Sequence, residues 1–545
     1  MMAGRRHEGE NASALDVVVA GGGPVGLMLA CELRLAGVRC AVLERLIEPD
    51  ETPKANGLVG QVVEVLDHRG LLESFSAGAP FVGPVPFFQF GALPLDLRRL
   101  DMSPLHVLPL PQPRLERLLQ ERARELGAEV WRGHELTGFS QDEDAVTAEV
   151  ACPEGAYQLR SRYLVGSDGA HSTVRKRAGI GFPGTTGDHV SRIGDVVLPE
   201  SAVVPETGEL EVSGLGRLRP GFTRTENGVF AFASFTPGVH RVSAMEWGQP
   251  PVDREAPVTT GELRESVRRV LGADLPMGEA RWLSRTSGNS RQAESYHSGR
   301  VFLVGDAAHV FSGAGGPALN LGLQDAVNLG WKLAAEIGEW APPGLLDTYH
   351  AERHPVGSRV LAHTRAQSAL MAPGDEVTAL REVFGELLEQ ERTLRSIAEM
   401  LHGSDVRYDT CVDEVEHVLV GRFAPDLPLA TAEGKKTRVA ELMRGARPVL
   451  LDLAGRTDLL AAAEGWRDRV DVVSARCEGQ AVPAGALLLR PDGYVAWVAP
   501  DDGGRDRDGL LRALATWFGI ASDGSRREVR QTGALKRIPC APPGR

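Results

Sequence analysis

A glycine-rich turn near the N-terminus is the first group of residues whose spacing could do chemistry. Residues 21–26 (GGGPVG) satisfy the pattern G-x-G-x-x-G between an apolar run and a helical pattern that begins at Pro24. In such a turn Gly21 permits the tight bend, Gly23 lets the backbone approach a pyrophosphate, and Gly26 lets the helix pack closely on the strand. The free N–H groups at the helix start also attract phosphate. The turn therefore predicts a dinucleotide site.

An acidic residue stands where the ribose of such a ligand would lie. Glu44 ends the second apolar run, about 20 residues after the turn, where a carboxylate can accept hydrogen bonds from a ribose diol. Arg45 follows it and would suit a 2′-phosphate. The turn and its acid alone therefore leave FAD and NAD(P) both open.

Two further aspartates follow predicted strands. Asp168 lies in VGSDGAHS (165–172), before a helix expected to begin at Ser172, and Asp306 lies in VGDAAH (304–309). An aspartate at the carboxyl end of a strand can hold the hydroxyl groups of a sugar chain, such as the ribityl chain of a flavin. Both aspartates, in this order after the glycine turn, favour FAD.

With these motifs the sequence resembles the single-component flavin-dependent aromatic hydroxylases of the para-hydroxybenzoate hydroxylase class. Within that class it is most similar to the aromatic polyketide and rifampicin-type monooxygenases. The resemblance covers residues 15–518 and is carried mainly by residues 305–334, by PQPRLE (111–116) and by RPDG (490–493). It implies an α/β fold with a Rossmann-like FAD-binding domain, an inserted antiparallel-sheet substrate domain and a C-terminal thioredoxin-like domain.

The expected boundaries follow from composition and pattern together with this resemblance. They are a flexible tail (1–14), the FAD-binding domain (15–185 and 286–375), the substrate-binding β-sheet domain (186–285), a helical linker (376–425), a thioredoxin-like domain lacking CxxC (426–520) and a second tail (521–545).

The resemblance also assigns cofactor contacts beyond the glycine turn. Glu44 and Arg45 are expected at the adenosine ribose, and Leu136 near the adenine. Lys54, Gln112 and Arg114 are expected near the pyrophosphate or ribityl chain. Asp306 is expected to bind the ribityl or pyrophosphate side, and Asp168 to serve the flavin and the nicotinamide cofactor together. The residues expected to line the isoalloxazine ring are Gly315, Gly316, Leu319 and Asn320.

The loop before the long helix departs from the family pattern. Gly313 stands where the family usually has proline, and Pro317-Ala318 replace Gln-Gly; Lys54 and Gln61 replace two arginines. Pro317 suits the first position of a helix, whose positive end would stabilise the negative charge of a reduced flavin. Pro317 is also compatible with a purely structural role at the start of the helix. His309, Gly313 and Pro317 are the candidates beside the flavin, although His309 more readily fits a packing or capping role.

A set of aromatic and sulfur-containing side chains could line the binding pocket of a flat substrate. The set comprises Phe88, Phe90, Phe230, Phe232, Met245 and Trp247. Such residues equally suit an ordinary hydrophobic core, and both interpretations remain open from the sequence.

Composition excludes several other classes. The net charge of −13, without a basic block, argues against nucleic acid or an anionic membrane surface as the main partner. The six cysteines are scattered, with no CxxC and no metal-ligand spacing, so no metal is expected. Scattered thiols and a polar N-terminus without a signal-peptide core indicate the cytoplasm. A monomer or a homodimer is expected.

The activity implied by the resemblance is oxygenation. NADPH or NADH would reduce FAD, and O₂ would form a C4a-hydroperoxyflavin that hydroxylates a polycyclic aromatic phenol, such as an aromatic polyketide in antibiotic biosynthesis. No catalytic base is identified. The alternatives are a Baeyer–Villiger oxygenase acting on a polyketide ketone, an antibiotic-inactivating monooxygenase, and an FAD-dependent reductase or flavin-binding protein.

Overall fold

The computed structural model describes residues 15–236, 238–249, 256–312, 316–410, 417–479, 484–499 and 507–522 of the 545-residue chain. The expected N-terminal tail (1–14) and most of the C-terminal one (523–545) lie outside the described residues. Among the described helices, none is long and apolar enough to cross a bilayer.

The N-terminal segment builds most of the large sheet. Its strands are β1 (Leu15–Ala20), β2 (Cys40–Glu44), β3 (Leu58–Val59), β4 (Gly83–Pro84), β5 (Phe87–Phe90), β6 (Leu93–Asp96), β7 (His106–Leu108), β8 (Glu129–Arg132), β9 (Glu135–Gln141), β10 (Val146–Cys152) and β11 (Gly155–Gly166). Its helices are α1 (Pro24–Leu35), α2 (Val62–His68), α3 (Leu72–Ser76), α4 (Gln112–Glu125) and α5 (Thr173–Arg177). The predicted strand–turn–helix–strand start is confirmed.

A second sheet interrupts this domain. The inserted segment contains β12 (Gly184–Val196), β13 (Leu210–Val212), β14 (Gly216–Leu218), β15 (Gly221–Thr225), β16 (Gly228–Thr236), β17 (Val239–Trp247), α6 (Thr260–Leu271) and β18 (Ala280–Gln292), of which β13 and β14 pair only with each other. The main strands pair antiparallel in the order β15-β16-β17-β12-β18, with α6 against one face. The inserted sheet is thus antiparallel, as the sequence predicts.

The chain then returns to the first domain. The returning elements are β19 (His297–Ser298), β20 (Val301–Leu303), β21 (His309–Val310), α7 (Pro317–Ile337), α8 (Asp347–Met371), α9 (Asp375–Leu388) and α10 (Glu391–His402). The central order is β19-β20-β11-β1-β2-β8, with parallel pairing from β20 to β8. Parallel strands buried on both faces read as continuous apolar runs, which is why β1 and β20 stand out in the sequence.

The C-terminal domain has its own mixed sheet. Its elements are β22 (Pro428–Thr431), β23 (Lys436–Arg438), α11 (Val439–Leu442), β24 (Val449–Asp452), α12 (Thr457–Ala462), β25 (Asp471–Cys477), β26 (Ala486–Leu489), β27 (Val495–Ala499) and α13 (Arg507–Phe518). The sheet order is β23-β22-β25-β24-β26-β27. Trp331 of α7 joins the hydrophobic cluster formed by Trp466, Trp517 and Phe518, so this domain packs directly on the first.

Candidate active site

The glycine turn after β1 encloses an open space beside the backbone. Gly21 has φ +109°, and a Cβ there would lie 2.2 Å from the carbonyl oxygen of Ser167. A Cβ on Gly26 would lie 2.1 Å from the oxygen of Gly21. At Gly23, by contrast, a Cβ would meet no atom within 4 Å. Two glycines are therefore required by packing, whereas Gly23 leaves room for a ligand.

The start of α1 supplies donors to that space. Gly23 is the N-cap residue and Pro24 follows at the start of the helix, with no side chain capping the first turn. The first N–H groups of a helix lack intrahelical partners, and they carry the positive end of the helix dipole. An uncapped helix start beside an open glycine fits a pyrophosphate group.

Glu44 is held firmly at the end of β2. Its Oε2 accepts a 2.8 Å hydrogen bond from the N–H of Gly22, and its Oε1 accepts a 2.9 Å bond from the N–H of Leu46. The carboxylate is half buried, whereas the side chain of Arg45 is exposed. Leu136 is buried against Val150 of the neighbouring strand. The structure thus places the acid beside the turn, as a ribose contact requires.

Asp306 lies directly after β20, at the carboxyl edge of the central sheet. Its side chain is accessible, yet protein surrounds it on most sides, as for a residue lining a deep cleft. Burial among those groups raises the pKa of the carboxyl group, opposed by His309 and Lys54. Among the described residues, none donates a hydrogen bond to it. The carboxylate therefore remains available for a ligand hydroxyl group.

Asp168 is engaged in local structure instead. Its Oδ1 accepts a 2.5 Å hydrogen bond from Ser172 Oγ, and its Oδ2 accepts bonds of 2.7 and 3.0 Å from the N–H groups of Thr173 and Val174. Ser172 caps α5, as predicted. Arg175, which sequence reasoning missed, donates to the carbonyl groups of Ala170 and Ala307 at 2.9 Å and so joins the two aspartate loops. The predicted contact of Asp168 with flavin and nicotinamide stays a prediction.

Of the three basic and amide candidates, Lys54 lies in the loop that precedes β3, and Gln112 and Arg114 lie at the start of α4. Lys54 pairs with Asp50 at 2.9 Å, and the side chain of Gln112 donates to Glu116 at 2.8 Å. Arg114 donates to the carbonyl oxygen of Ala77. A cavity of about 410 Å³ opens between this loop (residues 50–56) and the inserted sheet.

Helix α7 begins as predicted. Gly316 adopts φ +61° as its N-cap, and Pro317 is the first helical residue. Asn320 accepts a 3.0 Å hydrogen bond from the N–H of Val59 and donates to the carbonyl of Gly316 at 3.3 Å, and Leu319 is half buried. Gly313 and Gly315 lie outside the described residues.

Sequence comparison identifies the family. The profile of the FAD binding domain matches residues 14–364, and that of the aromatic-ring hydroxylase C-terminal domain matches residues 417–521. The chain belongs to the FAD-dependent aromatic-ring hydroxylases. The resemblance predicted from its motifs is confirmed.

Individual members of this hydroxylase family match over nearly their whole length. The OxyS anhydrotetracycline hydroxylase from Streptomyces rimosus superposes with a TM-score of 0.83 at 45% identity, over 93% of this chain and 99% of that one. The rifampicin monooxygenase of Streptomyces venezuelae is 45% identical over 93% of this chain and 100% of its own. The dialkyldecalin synthase of Streptomyces rugosporus is 41% identical over 93% and 99%, respectively.

In this hydroxylase two of the candidate pocket phenylalanines are buried in the core, so the structure favours the core interpretation for them. Phe230 pairs across the sheet with Ala244, and Phe232 with Val242. Both rings are buried in the cluster that packs on α6. Alternation along a strand assigns residues to two faces but does not say which face is covered. Phe90 is likewise buried, in a cluster with Leu370 and Leu388.

The opposite face of the inserted sheet is the accessible one. Cross-strand register places Ile193, Ser243, Ala231 and Phe222 side by side on it, all half buried. Met245 and Trp247, which were predicted for the pocket, lie on this face and pack near Met371 of α8. Phe88 is half buried and lines a small cavity with Pro317 and Asn320.

His309 belongs to a buried ion-pair network rather than to the cleft. Its Nε2 lies 2.6 Å from Asp325 Oδ2, and Asp325 Oδ1 accepts a 2.7 Å hydrogen bond from Arg353. Although burial acts to raise it, the pKa of Asp325 is held below its ordinary value by Arg353 and His309. The structure therefore favours the packing interpretation of His309 over a role beside the flavin.

Proposed function

We propose that this hydroxylase holds FAD, takes electrons from NADPH or NADH and uses O₂ to hydroxylate a polycyclic aromatic phenol. When bound, FAD would supply hydride acceptance and activation of O₂. The observation that carries the proposal is the accessible face of the inserted sheet, which borders, at Asp195 and Arg241, the same cavity as the loop at residues 50–56.

Four features of the chain would hold the cofactor. The open space at Gly23 and the uncapped start of α1 suit the pyrophosphate, and the fixed carboxylate of Glu44 suits the adenosine ribose. The carboxylate of Asp306, which no described residue engages, suits a ribityl hydroxyl group. The N-terminus of α7 at Pro317 would stabilise negative charge on a reduced flavin.

The substrate would lie on the accessible sheet face. Its small and apolar residues, such as Ile193, Ala231 and Phe222, would exclude water from a flat ring system, which protects an oxygenation from side reactions. A ligand of several rings buries several-fold more apolar area than a single ring, at about 25 cal/mol per Å².

Four arginines of the inserted domain are already engaged and do not favour a small carboxylate substrate. Arg192 pairs with Glu246 and Glu262, and Arg217 with Glu211. Arg219 pairs with Glu209, and Arg224 donates to the carbonyl groups of Ala372 and Gly374. Because these four guanidinium groups already have partners, they offer a benzoate-type carboxylate no ready site.

We further infer that the C-terminal domain is a redox-inert, thioredoxin-like module. Its order β25-β24-β26-β27, with one parallel and two antiparallel pairings, supports that topology. Residues 426–520 contain one cysteine, Cys477, so no internal disulfide can form there.

Two cysteines of the first domain bear on the compartment. Burial raises the pKa of Cys40 to about 12 and also raises that of Cys31, which suits structural thiols in a reducing cytoplasm.

A second candidate function follows from two comparisons. The similarity to a protein named dialkyldecalin synthase, and to a solved structure described as a Diels-Alderase, supports ring formation as the second candidate activity. A Baeyer–Villiger reaction is the other alternative, and the product separates all three. A hydroxylase product gains one oxygen as a phenol, a Baeyer–Villiger product gains one as a ring-expanded ester, and a cyclase product is an isomer of the substrate.

The test is substrate-dependent oxidation of NADPH and NADH across matched phenols of one, three and four rings. We expect oxidation and hydroxylated product to rise together for multi-ring phenols and to stay low for simple benzoates. Coupled hydroxylation of a benzoate, with no response to any multi-ring phenol, would contradict the proposed substrate class.

A further inference from the structure

Three side chains distant in sequence converge beneath the loop that connects β3 to α2. Glu64 lies in α2, His106 begins β7, and His402 ends α10. One ligand atom from each lies within 4.8 Å of the others. Nε2 of His402 is 3.6 Å and Nδ1 of His106 is 3.9 Å from Oε1 of Glu64, and the two imidazole centroids are 5.8 Å apart. Because Nδ1 of His106 also lies 3.2 Å from the carbonyl oxygen of Pro104, the other nitrogen of that ring is the one left for an ion.

The backbone holds this group together. The N–H of Gly60 donates to the carbonyl of His106, and the N–H of Gln61 donates to the carbonyl of His402, each at 2.8 Å. Gly60 adopts φ +85°, and a Cβ there would lie 2.5 Å from the carbonyl oxygen of His402. One tight turn therefore fixes both histidines, and Glu64 follows one helical turn later. The convergence is built into the fold rather than left to mobile side chains.

His402 provides the second, independent observation. Its side chain is only 5% exposed, and within the described part of the chain Nδ1 has no hydrogen-bond partner, while Nε2 meets only the Glu64 carboxylate, at the long distance of 3.6 Å. Buried polar atoms are nearly always satisfied, because an unpaired one loses its hydrogen bonds to water without replacement. A buried imidazole with one nitrogen unpaired and the other only loosely placed against a carboxylate, next to a second imidazole, points to a missing ligand.

We propose that Glu64, His106 and His402 bind one divalent transition-metal ion, of which Zn²⁺ is the best match. Two imidazoles and one carboxylate form a donor set preferred by Zn²⁺, Co²⁺ and Ni²⁺, whereas Ca²⁺ and Mg²⁺ favour oxygen ligands. The side chains of Glu64 and His106 are 35% and 33% exposed, so water can complete the coordination and an ion can enter.

The site revises the sequence expectation of no metal, which rested on spacing along the chain. The site joins α2, β7 and α10. Because only the folded chain brings these three ligands together, binding of the ion would stabilise the folded protein by mass action. It does not depend on the proposed function, since no oxygenation step is assigned to the ion.

The test uses the purified, FAD-loaded protein after chelator treatment and desalting. Zn²⁺ is titrated calorimetrically, bound zinc is counted by mass spectrometry after dialysis, and Tm is followed in parallel. We expect one ion per chain and a rise in Tm with Zn²⁺ but not with Mg²⁺. Glu64→Gln and His402→Gln should each weaken binding about tenfold or more.

His171→Gln is the matched control, because His171 is exposed and lies outside the cluster. All variants keep the same cysteines, so any Zn²⁺ bound by thiol groups contributes equally to the wild type and the variants. Should His402→Gln fail to fold by circular dichroism, Glu64→Gln decides alone, since its side chain is partly exposed and of equal size. The absence of stoichiometric Zn²⁺ binding, or equal binding by the wild type and Glu64→Gln, would overturn the proposal.

Discussion

Arg490 of the C-terminal domain and Glu352 of α8 form a two-pronged ion pair, with nitrogen–oxygen distances of 2.6 and 2.8 Å, in the buried interface between domains. Lys332 donates to the same carboxylate at 2.8 Å, and Arg490 also pairs with Asp492. Although burial acts to raise it, the pKa of Glu352 is lowered to about 2 by Arg490 and Lys332. The RPDG motif that helped to identify the family is therefore part of the domain interface.

We expect Glu352→Gln to destabilise the protein by about 3–5 kcal/mol, because it leaves two buried cations without their shared anion. Denaturant unfolding measures the change. The exposed pair between Arg217 and Glu211 supplies the control, since Glu211→Gln should change stability by no more than about 1 kcal/mol. Equal effects of the two substitutions would show that the buried network does not hold the domains together.

Gly23→Val should give a folded protein without flavin. A Cβ at Gly23 would meet no atom of the described residues within 4 Å, so the substitution should chiefly block the space assigned to the pyrophosphate. Absorbance near the flavin maximum and circular dichroism report cofactor and fold separately. Gly385→Ala, also at a position with open space around it, is the control and should stay yellow. A folded Gly23→Val protein with full flavin content would refute the assignment of this turn.

We expect Asp306→Ala to weaken FAD binding and Asp168→Ala to lower the stability of the fold. Losing one charge-assisted hydrogen bond at Asp306 should weaken FAD binding by about ten- to a hundredfold, or roughly 1.5–3 kcal/mol. Asp168→Ala removes the interactions that cap α5 and should cost about 0.5–2 kcal/mol of stability. FAD titration of the apoprotein and thermal unfolding measure the two effects. Unchanged FAD affinity in Asp306→Ala would exclude its ligand role.

The two faces of the inserted sheet should respond differently to substitution. Phe232→Ala empties a buried site and should destabilise by about 3–5 kcal/mol. Ala231→Leu adds bulk to the accessible face, so we expect near-normal stability with a raised KM for a multi-ring phenol. Unfolding and steady-state kinetics give the readouts. An unaltered KM in Ala231→Leu would place the substrate elsewhere.

Acid should destabilise the protein through buried neutral histidines. Burial lowers the pKa of His68 to about 3 and that of His350 to about 4. Below about pH 6.5 the unfolded chain takes up protons at these histidines while the folded chain does not, so stability falls as pH drops toward 4. His68→Gln should remove about 2 kcal/mol of the loss between pH 6.5 and 5. An unchanged pH slope in His68→Gln, or an equal change in His171→Gln, would contradict this account.

Part of this fold could be predicted from local sequence patterns. The roles of Gly21, Gly26 and Pro317 depend on the conformation and packing of their own turns, so the sequence around each residue predicts them. Which face of β16 is buried could not be predicted. The alternation of Phe230 and Phe232 with Ala231 is the same whichever face packs against the core. Partners that meet only through folding, such as Arg490 with Glu352, or His106 with His402, leave no spacing signal along the chain.

The most direct test of the central claim is ¹⁸O₂ labelling of a single turnover with FAD, NADPH and a multi-ring phenol. The account predicts a product that gains one ¹⁸O atom as a ring hydroxyl group, with one NADPH consumed per product. A product of unchanged mass, or NADPH oxidation that yields only hydrogen peroxide across the whole panel of phenols, would contradict it.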